Sequence, residues 1–171
     1  MDETEFWEIV DSTREAADGD PEEQADLLVE RLAGLDGPDA VTDFARHFET
    51  RFNRAFHWDV WAAADIMLGG ADDETFDYFR CWLIGQGRHV FEGALHAPDD
   101  LAVLAEEFDP ETDGDAEDLR YAADEAYEQL TGVRLPDLDL PPAERPAGEP
   151  LDFDDEQAMA ERFPQLWARF G

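Results

Sequence analysis

The chain has no lysine, one cysteine, one serine and no long apolar run, and each shortage removes a class of function. A single cysteine, Cys81, cannot build an internal disulfide framework. It sits in the apolar run Phe79-Arg80-Cys81-Trp82-Leu83-Ile84 and reads as a small buried hydrophobe, because a reactive thiol needs a base and positive surroundings. The only serine, Ser12, lies in a helical stretch without a glycine elbow, which excludes a serine-hydrolase triad. No stretch approaches ~18 apolar residues, so no membrane span is expected. The start, Met1 to Trp7, lacks a basic region followed by an apolar one, so no signal peptide is expected and the cytoplasm is the default location.

What the chain has in excess is acid. Twelve basic residues, all arginine, face 45 acidic ones, for a net charge of −33. Arginine without lysine, beside abundant Ala, Gly, Asp and Glu, is what a GC-rich genome writes, and codon usage of that kind points to an actinobacterial or haloarchaeal source. Such a surface repels nucleic acid and anionic membranes and strains the compact state by self-repulsion. Its simplest reading is a solvated acidic surface; a sharper one is a basic protein partner. Mimicry of a nucleic-acid duplex is disfavoured because the acids are spread along the whole chain. A hydrophobic content of 43% with 12% aromatics nevertheless supports a folded domain rather than a disordered chain.

Nearly every segment has helical period, and the expected fold is all-α: a single domain of eight or nine helices. A first helix runs from Thr4 to about Ala17, with Phe6, Ile9, Val10 and Thr13 on one stripe. Asp20-Pro21-Glu22-Glu23 is a strong helix start, with Glu23 placed for a capping box, and Gly34 a stop. Pro38 opens a third helix whose Val41, Phe44, Ala45, Phe48 and Phe52 form a stripe, leaving Arg46, Glu49 and Arg54 facing out. Further helices are expected over Trp58 to Leu68, Glu74 to Gln86, Arg88 to His96, Pro98 to about Phe108, and Ala116 to Leu130. Gly85-Gln86-Gly87 reads as a helix kink, with a close backbone approach as the alternative. The prolines at 136, 141, 142, 146 and 150 exclude helix there and predict an extended arm. The tail, Asp154 to Phe170, is helical with an interruption at Pro164, and its apolar face is expected to dock back. The implied division is a helical core over 1–131, an arm over 132–153 and a C-terminal helix over 154–171.

Chemistry concentrates between His57 and Leu95, where tryptophans, arginines and carboxylates alternate. Trp58, Trp61 and Asp65 fall at i, i+3 and i+7 of one helix. On the next helix Asp77 and Arg80 are spaced to pair, and Tyr78 and Trp82 form another stripe. The candidate ligand-binding residues are therefore Trp58, Trp61, Asp65, Asp77, Arg80, Trp82 and Arg88. Two readings stay open. Ion pairs can simply pin the two helices, with Asp59, Asp65 or Asp77 supplying the partner that a buried Arg80 requires. Alternatively, indole walls and forked arginine donors form a pocket for a small anionic ligand. An enzyme would use Asp65, Asp77 or Glu92 as general acid or base. A regulatory or immunity-type protein would instead neutralise a basic partner. His89, Glu92 and His96 share a helical face, but no zinc signature accompanies them and no metal site is assigned. Gly69-Gly70 follows a helix rather than a strand, so no phosphate loop and no cofactor are expected.

This block also carries a resemblance. Phe6-Trp7, Trp58-Asp59-Val60-Trp61, Gly69-Gly70, Phe76-Asp77-Tyr78-Phe79-Arg80, Trp82-Leu83-Ile84, Gln86-Gly87-Arg88 and Val90-Phe91-Glu92 resemble a bacterial family known as domain-of-unknown-function family 4240, over roughly residues 3 to 130. The resemblance implies no activity and no catalytic residues. It places the family's recognisable positions on the Trp-Asp-Arg cluster.

Because self-repulsion is screened over a Debye length of ~10 Å at 0.1 M salt, added salt is expected to raise the melting temperature. A melting temperature that falls steadily from low to moderate salt would contradict this.

Overall fold

Helix signals in the sequence become ten α-helices, with no β-sheet, in a computed structural model that describes residues 1–171. They are α1 (Glu3–Ala16), α2 (Pro21–Ala33), α3 (Pro38–Arg54), α4 (Trp58–Leu68), α5 (Asp73–Gly85), α6 (Arg88–His96), α7 (Leu101–Leu104), α8 (Glu117–Thr131), α9 (Glu156–Arg162) and α10 (Pro164–Phe170). The count exceeds nine because Pro164 splits the C-terminal helix in two.

Local chemistry explains the boundaries. Asp2 starts α1 with a reciprocal capping box to Glu5. Asp20 caps α2 through Glu22 N–H and Glu23 N–H, with Pro21 in the first turn, and needs no return bond from Glu23. Gly69, at φ 71°, ends α4 in the left-handed region that glycine enters at least cost. The seventh helix is shorter than its sequence pattern suggests. A 3₁₀ turn at Pro98–Asp100 leads into a single turn, and Phe108 lies outside it. Gly85 and Gly87 do not kink a continuous helix; they separate α5 from α6. A Cβ on Gly85 would stand 2.5 Å from Leu119 Cδ1, and one on Gly87 2.2 Å from Asp11 Oδ1, so both glycines allow close approach.

Helix α8 packs against α2, α3 and α5, and α1 closes over α2. One continuous core of 39 buried residues runs through the helices. Ala62, Ala63 and Ala64 make α4 thin enough to be enclosed between α5 and α10. No helix is long and apolar enough to cross a membrane.

The C-terminal helices dock back through both apolar and polar contacts. Met159, Phe163 and Leu166 are buried. The Asp99 carboxylate accepts from Leu166 N–H at 2.9 Å and Gln165 N–H at 3.2 Å, capping the start of α10. Arg162 makes a two-pronged pair with Asp59 at 3.0 and 2.9 Å. Arg169 donates to the carbonyls of Ala102, Ala105, Glu106 and Phe108, at and beyond the end of α7, where the helix no longer supplies a full set of donors. Arg169→Ala should therefore loosen α9 and α10 and cost about 2 kcal/mol, read as a lower denaturation midpoint and faster amide exchange in α7 and α10. Unchanged exchange in both would show that the apolar face alone holds the tail.

Candidate functional site

Arg80 comes from a helix that is apolar nearly all round, so α5 carries a guanidinium into the interior. Three kinds of contact hold it there. Nη1 donates to Phe52 O at 2.9 Å, a carbonyl left without a helical donor because α3 ends two residues later. Nη2 pairs with the Asp77 carboxylate. The guanidinium carbon lies 3.7, 4.6 and 5.1 Å from the ring centroids of Phe52, Phe56 and Phe76. Burial lowers the pKa of Arg80 and Asp77 opposes that shift, but a guanidinium stays charged throughout. Nε has no partner. Arg120, from α8, lies 3.9 Å from the centroid of the same Phe52 ring and grips Glu49 at 2.9 and 3.2 Å. Glu49 therefore does not simply face out.

The sequence-derived candidates separate into neighbourhoods. Trp58 and Trp61 stack at 5.6 Å, and Trp61 stacks on Phe76 at 4.9 Å. Trp61 Nε1 donates to Ala71 O, and Asp65 accepts from Ala71 N–H, closing the α4–α5 turn. Partial burial raises the Asp65 carboxyl above its ordinary range, while the Ala71 N–H pulls it down. Asp77 and Arg80 form the adjoining group, joined to the tryptophans through Phe56 and Phe76. Arg80 thus rests on phenyl rings, and its carboxylate is Asp77 rather than Asp59 or Asp65. Trp82 packs elsewhere, against Phe79 and Phe108, beside a cleft of about 440 Å³ that also contains Arg14 and Gln86. Arg88 is half-exposed on a different face. The chain's own arm covers the tryptophan stack: Phe153 meets Trp58 and Trp61 edge-on at 6.0 Å, and Ala147 bridges the backbone at His57. Cys81 is buried, which pushes its thiol up to about 12. Glu92 is held by Arg54 at 3.0 and 3.1 Å.

Where Arg88 lies, a second cluster gathers on α1, α3 and α6. Glu3 sits 3.1 Å from Arg51 and 3.8 Å from Arg88. The Arg51 hydrogen bond holds its carboxyl below the ordinary range. Arg51 is only 6% exposed. It donates to His47 O at 3.0 Å, lies 4.9 Å from the Phe6 centroid and 5.6 Å from the Trp7 centroid, and leaves Nε without a partner. The buried Trp7 N–H also has none. Arg51 opens onto a cleft of about 370 Å³ shared with Glu3, Asp43, Arg46, His47 and Thr50. Arg46 reaches Asp43 only at 3.7 Å. Sequence reasoning missed Arg51, although a signal was present. It lies seven residues after Phe44 and three after Phe48, on the buried stripe of α3.

Residues 1–129 match the family model described as Protein of unknown function (DUF4240). The chain belongs to the DUF4240 family. No curated protein and no solved structure matches it. The DUF4240 match ends within α8, so the Arg80 pin and the Arg51 cluster both fall inside it, whereas the arm, α9 and α10 lie beyond it.

Arg80→Ala should cost about 2–3 kcal/mol by orphaning Phe52 O and emptying the space between three rings. Arg80→Lys should restore little of it, since an ammonium neither forks nor stacks. Arg88→Ala should stay within about 0.5 kcal/mol of the parent. Chemical denaturation of the three variants checks the ranking, and equal losses for Arg80→Ala and Arg88→Ala would refute it.

Proposed function

We propose that this DUF4240 protein is a binding protein whose ligand is a small oxyanion, a phosphate or carboxylate, held at the α1–α3–α6 face. The observation that carries the reading is the buried Arg51, which lines an open cleft together with the loosely paired Arg46. Forked guanidinium groups beside a sheltered cleft suit an anion that brings its own acceptors. Local charge supports the choice. Arg46 and Arg51 stand against Glu3 and Asp43 in this cleft, whereas four other clefts each hold more carboxylates than arginines. The site departs from the sequence-based candidates by keeping Arg88 and exchanging Arg80 for Arg51.

An enzyme built on Asp65, Asp77 or Glu92 has less support. Asp77 and Glu92 are occupied by arginines, and Asp65, whose carboxyl is raised by partial burial, is bonded to a turn N–H. A basic protein partner remains the second reading. The arginines are largely drawn into pairs and caps, so carboxylates dominate what such a partner would meet.

Calorimetric titration with inorganic phosphate, pyrophosphate and citrate tests the proposal. At least one should bind saturably. Arg46→Gln should weaken it about tenfold by removing a charge-assisted contact without moving the melting temperature, and the remote Arg31→Gln should leave it unchanged. No saturable binding by any of the three, or equal weakening by both variants, overturns the anion reading.

A further inference from the structure

A different cleft lies on the opposite flank of α3, between it and α8, with a volume of about 380 Å³. That is the size of a small-molecule site. Its inner wall is apolar, built from Phe44, Phe48 and Leu119. Its outer wall is the arm, through Leu135 and Leu138, which pack on the core while the neighbouring Leu140 and Tyr121 stay exposed. From 134 to 146 no backbone hydrogen bond ties the arm to the helices; the first are those of Ala147. The outer wall is thus held by side-chain packing and can shift to admit a guest.

The polar lining is anionic. Glu49 is already neutralised by Arg120. Asp124 and Asp137 remain, and Asp124 is met by no hydrogen bond, only by the more distant charges of Glu49, Arg120 and Arg134. Asp124 is exposed at the rim; partial desolvation there and the nearby Glu49 raise its carboxyl, and Arg120 and Arg134 oppose them.

We propose that this cleft binds an organic cation: an ammonium or guanidinium group on an apolar body, the charge on Asp124 and the body between Phe44, Phe48 and Leu138. The site is independent of the anion-binding face, and neither proposal depends on the other.

The probe is 4-phenylbutylammonium, titrated calorimetrically into the full chain. Saturable one-site binding is expected. Asp124→Asn should weaken it about tenfold by removing a charge-assisted partner, and Leu138→Trp should abolish it by filling the cleft. The uncharged 4-phenylbutanol should bind about tenfold more weakly to the parent for the same reason. Putrescine, with charge but little apolar surface, should lose its binding when salt is raised, while the phenylbutyl ion keeps most of its own. Asp124 is exposed and Leu138 sits on an arm without backbone hydrogen bonds to the helices, so parental melting curves should accompany both substitutions. Equal affinity in the parent and Leu138→Trp, binding no better than putrescine at high salt, or no saturable binding overturns the proposal.

Discussion

A guanidinium at the end of a helix fixes the centre of this molecule. Arg80 reaches from α5 to the free carbonyl of Phe52 in the last turn of α3, under the negative end of that helix. The same Phe52 ring receives Arg120 from α8. One residue of α3 therefore joins three helices through two cations, an arrangement that needs planar, weakly hydrated guanidinium groups and has no lysine equivalent. Asp77 completes it from the half-exposed edge, so the charge pair is not fully stripped of water. Once α3 is pinned on this side, its remaining faces have fixed orientations: Arg51 and His47 toward α1 and α6, Phe44 and Phe48 toward α8.

Charge is sorted accordingly. The arginines act mostly as internal fasteners: Arg162 to Asp59, Arg120 to Glu49, Arg54 to Glu92, and Arg169 on four carbonyls. Carboxylates are left in excess outside. A protein carrying −33 thereby acquires two unlike clefts on the two flanks of α3, one in which arginines balance acids and one in which unpaired carboxylates edge an apolar wall. Chemical contrast between neighbouring clefts follows from which flank of α3 the fasteners occupy.

The segment beyond the family match has a structural consequence of its own. Phe153 covers the Trp58–Trp61 stack, and Ala147 bridges to His57. Gly148, at φ 85°, sits where a Cβ would stand 2.6 Å from the His57 ring. The most aromatic helix face in the sequence is thus occupied by the chain itself, and α9 and α10 bury Phe163 and Leu166 at home rather than offering them to a partner.

Much of the fold was legible in the residues. Periodicity, Asp and Pro starts and Gly stops are local, acting within a turn or two, so the all-α class, most helix limits, the helix-free arm and the break at Pro164 could be read directly. The Asp77–Arg80 pair was legible for the same reason, being three residues apart on one helix. The site was not. Arg88 meets Glu3 across 85 positions, Arg162 meets Asp59 across 103, and Arg80 finds a backbone carbonyl 28 residues back that no side-chain pattern marks. Periodicity says which side chains share a face of one helix, and it is silent on which other helix that face meets. By itself the sequence determined the helices and the sign of the surface. Only packing decided which arginines were spent on holding the helices together and which line an open cleft, because that depends on distances between segments far apart in the chain.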